Sequence, residues 1–140
     1  MSGVERDKIR KLHSSEYFTP FEKVLERLNA YNASVWQKID SQFLDPTCGD
    51  GQFLGEVLIR KVENGIDFEQ ALSTIYGVDL MPDNVKLCQD RLLCGQEHLR
   101  HIVEQNIVCA DALRYHYRFD STDPYETNQD RQFNSLFSIG

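Results

Sequence analysis

The sequence predicts an α/β fold built on a parallel, doubly wound sheet, and two observations support this prediction. Short apolar segments of strand length alternate with longer segments of helical periodicity, as in parallel strands joined by crossover helices. Each of the first three strand segments also ends close to an aspartate, namely Asp45, Asp79 and Asp111. The chain of 140 residues suffices for one core. We expect about four parallel strands with flanking helices.

The N-terminal segment predicts a polar arm over residues 1–15, followed by one domain over residues 16–140. Thr19 and Pro20 are typical of a helix start, and Glu22 completes a capping box with Thr19. The apolar residues that follow recur at helical spacing: Phe21, Val24, Leu25, Leu28 and Tyr31.

The remaining elements follow from apolar runs and their stop signals. The four predicted strands are QFLDP (42–46), TIYGVDL (74–80), NIVCADAL (106–113) and FNSLFSIG (133–140). Between the first two strands, a helix from Phe53 ends at Asn64, and Asp67 caps a shorter one. Pro82 begins the next helix, which stops at Gly95.

Composition and charge restrict the classes of protein. The residues are 41% hydrophobic and 26% charged, and no apolar run has the length of about 18 residues that a membrane span requires. Four cysteines without CxxC spacing are typical of reduced thiols in a cytoplasmic protein. The formal net charge of -7 argues against strong DNA binding by this chain alone.

The turn DPTCGDG (45–51) predicts a ligand site after the first strand. Gly49 and Gly51 permit a sharp turn and a close approach of the backbone to a ligand. Leu54 stands where a dinucleotide fingerprint needs a third glycine, and the Lys of a phosphate loop is missing. A diphosphate 4 Å from Asp45 would be repelled by about 4 kcal/mol at an effective dielectric of about 20. The turn therefore favours a cationic nucleoside such as S-adenosylmethionine.

The other two aspartates suit the same ligand. Asp79 ends the second strand, where a carboxylate accepts hydrogen bonds from ribose hydroxyls. Asp111 ends the third strand, where its carboxylate can accept a hydrogen bond from an adenine amine. In open α/β sheets, ligands bind at this carboxyl edge.

Four segments resemble a known family. DPTCGDGQFL, YGVDLMPDNVKLCQDRL and NIVCADAL resemble the first three motifs of S-adenosylmethionine-dependent methyltransferases, and the D-P-x-C-G-x-G form resembles the adenine-N6 DNA methyltransferases. SSEYFTPFEKV (14–24) resembles the segment that precedes these motifs in one subgroup and packs over the methionine end of the cofactor. The resemblance covers residues 14–113, with a weaker tail to 140.

The resemblance implies a Rossmann-like class I methyltransferase fold, methyl transfer to adenine in DNA, and a role in restriction-modification. It implies these cofactor-binding residues: Tyr17, Phe18, Thr19, Asp45, Pro46, Cys48, Gly49, Gly51, Phe53, Asp79, Leu80, Asp111 and Ala112.

The sequence departs from this family at the catalytic motif. The family needs Asn or Asp, two prolines and an aromatic residue, so that side-chain and carbonyl oxygens accept the hydrogens of the target amine while the ring stacks on the flipped base. DPYE (123–126) lacks the second proline, so it is either a variant motif or a loop turn. No catalytic residue is assigned. We expect DNA binding only with further C-terminal parts or a partner subunit, and self-association through an exposed edge strand.

Alternatives remain open. Two alternative predictions are a non-catalytic S-adenosylmethionine-binding or partner-blocking protein, and a methyltransferase that acts on a glutamine amide in proteins. Cys94, His98 and His101 are types that bind metals, but packing or surface roles are commoner, and no metal site is expected. Arg114 and Arg118 form a short basic patch that could contact nucleic acid.

Overall fold

The computed structural model describes residues 21–137, so the predicted arm and the helix cap at Thr19 and Pro20 lie outside it. Its helices are α1 (Phe21–Ala30), α2 (Ala33–Gln37), α3 (Gln52–Glu63), α4 (Phe68–Leu72), α5 (Pro82–Leu93), α6 (Arg100–Asn106) and α7 (Asn128–Phe137). Its strands are β1 (Phe43–Asp45), β2 (Ile75–Asp79) and β3 (Ile107–Cys109). Within residues 21–137, no helix is both long enough and apolar enough to cross a membrane.

The three strands form one parallel sheet in the order β1-β2-β3. In its register, Phe43 pairs with Ile75, and Gly77 pairs with Ile107. Helices α3 and α4 connect β1 to β2, and α5 and α6 connect β2 to β3. The predicted α/β class, parallel pairing and first three strands are therefore confirmed. Helices α2 and α6 were not predicted from the sequence.

The main core fills one face of the sheet. It joins the strands to helices α3 and α5, and α1 packs on α3. Trp36 on α2 is buried and stacks on Phe43, with ring centroids 5.1 Å apart. The largest fully buried apolar side chains include Leu28, Leu54, Leu72, Ile75, Leu92, Leu93 and Ile107.

The opposite face of the sheet has a much smaller core. Val78, Ala110 and Tyr115 are buried there, and Phe119 packs against them. Leu44 on β1 remains 47% exposed. A cavity of about 550 Å³ is lined by Leu44 of β1, by Tyr76 of β2 and by residues 117–119. The rings of Tyr76 and Phe119 contact each other, with centroids 4.8 Å apart.

The predicted fourth strand is wrong, because residues 128–137 form helix α7. The helix begins with a reciprocal cap: Asp130 N donates to Thr127 Oγ1 at 3.0 Å, and Thr127 N donates to Asp130 Oδ2 at 3.0 Å. This capping box starts the helix at Asn128, five residues before Phe133. The described sheet therefore has three strands, and β1 and β3 are its edges.

A lysine is buried behind β1. Lys61 on α3 has no exposed surface; its Nζ donates to Ser41 O at 2.5 Å and lies 5.2 Å from the Phe43 ring centroid. Burial lowers the pKa of Lys61 below its usual value of 10.5, although Asp40 acts in the opposite direction.

This lowered pKa predicts a pH-dependent difference between the wild type and Lys61→Met. As pH rises through the lowered folded-state pKa toward 10.5, folded Lys61 loses its proton before the unfolded chain does, so the wild type gains stability that the variant cannot gain. Urea unfolding of both proteins at several pH values measures the difference in their free energies of unfolding. A difference that stays constant over this range would contradict the prediction.

Candidate functional site

The three predicted aspartates follow neighbouring strands at one edge of the sheet. Asp45 and Asp79 are the last residues of β1 and β2, and Asp111 comes two residues after β3. Because all three strands are parallel, their carboxyl ends lie at the same edge. Ala110 N donates to Asp79 O at 3.0 Å, so the chain beyond β3 continues along the end of β2. The predicted common edge is confirmed.

The glycine turn lies across the end of β2. Cys48 N donates to Val78 O at 2.9 Å, and Gly49 N donates to Asp79 Oδ1 at 3.2 Å. Gly49 has φ 55° and Gly51 has φ 89°, a left-handed conformation that favours glycine. Gly51 is also the N-cap of α3, so the turn leads directly into that helix.

Close packing fixes the turn from both sides. A Cβ on Gly51 would lie 2.7 Å from Cys88 Sγ, and one on Gly77 of β2 would lie 2.9 Å from both Cys48 Cβ and Leu54 Cδ1. Such distances are too short for ordinary contacts. Glycine at position 77 therefore allows the turn to pack directly on β2.

Asp79 connects three parts of the site. Its Oδ1 accepts the hydrogen bond from Gly49, while Oδ2 accepts from Met81 N at 3.0 Å and from Asn84 Nδ2 at 3.2 Å. Asn84 is buried on α5. A carboxylate oxygen has two lone pairs, so Oδ1 keeps acceptor capacity for a ligand hydroxyl. The role of Asp79 toward ribose stays a prediction, and the structure adds a role in holding the turn.

Asp45 carries a poorly solvated charge. Burial raises the pKa of Asp45 above its usual value of 3.8, and nearby Asp79 raises it further. The hydrogen bond from Thr47 N to Oδ1, at 3.0 Å, and the charge of Arg27 both act in the opposite direction. The net effect shows that solvent and protein stabilise the Asp45 carboxylate poorly. A cation would be attracted to it.

Asp111 is held by a residue far along the chain. Its backbone N donates to Tyr125 Oη at 2.8 Å, and its Oδ1 accepts from Leu113 N at 3.0 Å. The Arg114 guanidinium lies 4.6 Å from the centroid of the Tyr125 ring. The DPYE segment thus contacts the candidate site, although it lies outside the part that resembles the first three motifs.

The DPYE segment itself forms a turn. Asp123 Oδ1 accepts from Tyr125 N at 2.9 Å, and Glu126 N donates to Asp123 O at 3.2 Å. His116 N donates to Pro124 O at 3.2 Å, which ties this turn to the loop after β3. Asp-Pro at the start of a turn is a common local arrangement.

The other predicted residues differ in exposure. Pro46 is exposed, Leu80 is 51% exposed, and Phe53 and Ala112 are half-buried. Cys48 is buried, and its hydrogen bond with the Cys88 thiol and its burial raise the pKa of Cys48, which disfavours the thiolate form. Tyr17, Phe18 and Thr19 lie outside the described residues.

Sequence reasoning missed Asn84 and Cys88 as parts of the site and left the position of Tyr125 open. Asn84 had a detectable signal, because this polar residue stands four residues before Cys88 and eight before Leu92, at the spacing of one helix face. The contact of Cys88 with Gly51 depends on helix packing and has no local signal. In the part of the chain that the structure describes, no group of three or more His, Cys, Asp or Glu side chains could hold a metal ion.

Comparisons of the chain with protein-family models, with curated proteins and with solved structures found no match. The family resemblance of the four motif segments therefore stays a prediction. The function is inferred below from the residues and geometry of the site.

The contact between Gly51 and Cys88 predicts a large cost for Gly51→Ala. Gly65 is the matched control, because it has the same φ of 89° but nothing within 4 Å of its Cβ position. A left-handed alanine costs about 1–2 kcal/mol at either site, whereas overpacking adds about 1–3 kcal/mol at Gly51 only. Urea unfolding measures both costs.

Cys88→Ala separates the two causes of this cost. It should recover part of the loss in Gly51→Ala and none of the loss in Gly65→Ala, since it removes only the colliding thiol. Equal losses for the two glycine variants would refute the packing argument.

Replacing the carboxylate by an amide of the same shape should change the free energy of unfolding in opposite directions at Asp45 and Asp79. Asp45→Asn should raise the free energy of unfolding at pH 7, because burial and Asp79 both disfavour the Asp45 charge. Asp79→Asn should lower it by about 1–3 kcal/mol, because an amide nitrogen cannot accept the bonds that Gly49, Met81 and Asn84 donate.

The free energy of unfolding at several pH values tests whether the Asp45 charge stabilises or destabilises the folded protein. Its raised pKa means that the wild type loses stability as pH rises from 3.8 through the folded-state pKa, and Asp45→Asn should lack this loss. A lower stability of Asp45→Asn at pH 7 would count against a strained charge.

Proposed function

We propose that this chain binds S-adenosylmethionine at the carboxyl edge of its sheet, as the cofactor-binding half of a DNA adenine-N6 methyltransferase. The observation that carries the proposal is the placement of Asp45, Asp79 and Asp111 at one edge, with the glycine turn between the first two. Three acids beside a close-packed backbone turn suit a ligand that is cationic at one end and a nucleoside at the other.

The charge of the site supports a sulfonium ligand rather than a dinucleotide. Asp45 has a raised pKa, so its carboxylate lacks compensation by a buried partner. A diphosphate there would raise the cost of that charge, whereas the sulfonium and ammonium groups of S-adenosylmethionine would lower it. The Asp45 carboxylate therefore disfavours NAD and favours S-adenosylmethionine.

The nucleoside end has suitable acceptors and an apolar wall. Asp79 Oδ1 retains acceptor capacity for a ribose hydroxyl, and Leu80 directly after β2 is half exposed. Asp111 would accept a hydrogen of the adenine amine. This assignment accounts for an exposed leucine beside two acids.

Methyl transfer to DNA would require groups beyond this site. The amine of a target adenine attacks the methyl carbon, the carbon–sulfur bond breaks, and S-adenosylhomocysteine leaves while the amine loses a proton. An acceptor site must orient that amine. Asp123 Oδ1 is engaged by Tyr125 N, and residues 128–137 form a helix in place of the strand that leads to the catalytic motif in the resembled family. We therefore assign DNA binding and turnover to a further segment or a partner subunit in the cytoplasm.

A second candidate is an S-adenosylmethionine-binding protein without catalysis. The hydrogen bond from Tyr125 N to Asp123 Oδ1 favours this second candidate, because it engages the carboxylate within its own turn rather than with a substrate amine. Both candidates share the cofactor site and differ in turnover.

Calorimetry with S-adenosylmethionine tests the shared site. We expect the wild type to bind S-adenosylmethionine and not NAD, and Asp45→Asn to lose about tenfold or more in affinity, which corresponds to about 1.4 kcal/mol. Affinity in the wild type should fall as pH drops through the raised pKa of Asp45, because a protonated carboxyl no longer attracts the cation. Asp45→Asn should lack this fall.

Asp50→Asn is the matched control for this experiment. Asp50 lies in the same turn, but its Oδ2 pairs with Arg91 Nη2 at 3.3 Å, so its removal should leave the affinity unchanged. Tighter binding of NAD than of S-adenosylmethionine would overturn the proposal. If the purified chain alone methylates unmethylated DNA, the non-catalytic candidate is excluded.

A further inference from the structure

The hydroxyl of Tyr125 completes the set of bonds around Asp111. Asp111 O accepts from Arg114 N at 3.0 Å and from Tyr115 N at 2.9 Å, and Asp111 Oδ1 accepts from Leu113 N. These three bonds come from the next four residues. The backbone N of Asp111 has its partner 14 residues away, at Tyr125 Oη.

This arrangement leaves one oxygen of the carboxylate for a ligand. With N, O and Oδ1 of Asp111 bonded, Oδ2 has no protein partner within residues 21–137. A carboxylate oxygen accepts hydrogen bonds and donates none, so it distinguishes an amine from a carbonyl. The direction of Oδ2 depends on the backbone conformation of Asp111, which Tyr125 restrains.

Tyr125 is itself held in place. Arg114 lies over its ring, Asp123 Oδ1 accepts from its backbone N, and Arg118 Nη1 donates to Glu126 O at 2.5 Å. The negative face of the aromatic ring attracts the guanidinium. The ring and the turn therefore present the hydroxyl to Asp111 in a fixed geometry.

We infer that Tyr125 is a positioning residue that sets the preference of this site for adenine over hypoxanthine. It acts through Asp111: the Tyr125 hydroxyl fixes the Asp111 backbone, and Asp111 Oδ2 then accepts a hydrogen from the exocyclic amine of the purine. Hypoxanthine carries an oxygen at that position, which Oδ2 would repel. The inference rests on the proposed S-adenosylmethionine site and adds a residue that the resemblance does not assign.

The test compares binding of S-adenosylmethionine and S-inosylmethionine, whose purines differ at C6, where an oxygen replaces the amine, and at N1, which accepts a hydrogen bond in adenine and carries a hydrogen in hypoxanthine. Calorimetry of the wild type should show a preference for the adenine ligand of about tenfold or more, as expected for a charge-assisted hydrogen bond. Tyr125→Phe keeps the ring beside Arg114 and removes the hydroxyl. We expect its preference to fall to about threefold or less.

Tyr115→Phe is the matched control. Tyr115 Oη also accepts from a backbone N, that of Phe119 at 2.9 Å, but it makes no such bond to Asp111. Both variants lose a similar hydrogen bond and should lose similar stability in urea unfolding. Tyr115→Phe should keep the wild-type preference, which separates positioning from a general loss of stability.

Asp111→Asn shows how far the preference for the adenine ligand depends on the Asp111 carboxylate. Asn can keep the bond from Leu113 N with its oxygen and present its NH₂ in place of Oδ2, so its preference should reverse toward hypoxanthine. If Tyr125→Phe keeps the full preference while Asp111→Asn reverses it, the inference about Tyr125 fails and the site stands. If the wild type binds neither ligand, the proposed function fails.

Discussion

The carboxylate of Asp79 is the interaction on which the described site depends. It accepts hydrogen bonds from the glycine turn, from the backbone at the start of α5 and from the buried amide of Asn84. Two loops that leave different strands therefore share one anion at the end of β2. Hydrogen bonds to a charged group are about twice as strong as neutral ones, which suits a carboxylate that must hold two chain segments.

The hydrogen bonds that hold the turn against β2 explain why glycine is needed in the turn and next to it. Because Gly49 donates to Asp79 and Cys48 N donates to Val78 O, the turn lies too close to β2 for a side chain at position 77. The same closeness brings Gly51 against Cys88 on α5. The glycines are thus explained by packing within the protein, and a ligand would use an approach that already exists.

The sequence predicted the parts of this arrangement that depend on local pattern. Strand-length apolar runs, Pro82 and the Asn64–Gly65 stop predicted β1, β2, β3, α3 and α5, and parallel pairing placed three aspartates at one edge. Residues 133–137 were misread, because a short apolar run fits a strand as well as a helix. The Thr127–Asp130 cap upstream decided the outcome.

Long-range contacts could not be predicted in this way. Tyr125 reaches Asp111 only because residues 111–126 fold back through two turns, and no periodicity in that polar segment indicates the closure. Helix α2 was also missed: it has five residues and is set by one cap, the bond from Ser34 N to Asn32 Oδ1 at 3.1 Å. Helices this short give too little pattern to recognise.

The unequal cores on the two faces of the sheet have a consequence for motion at the site. Asp45 and the glycine turn are attached to the large core, whereas Asp111 belongs to a segment secured by the small cluster of Val78, Ala110 and Tyr115. Regions with few buried contacts open locally at lower free energy than the rest of a domain. We therefore expect the segment after β3 to open locally at a lower free energy than the glycine turn. A molecule that contacts all three carboxylates would join two regions of different rigidity into one cooperative unit.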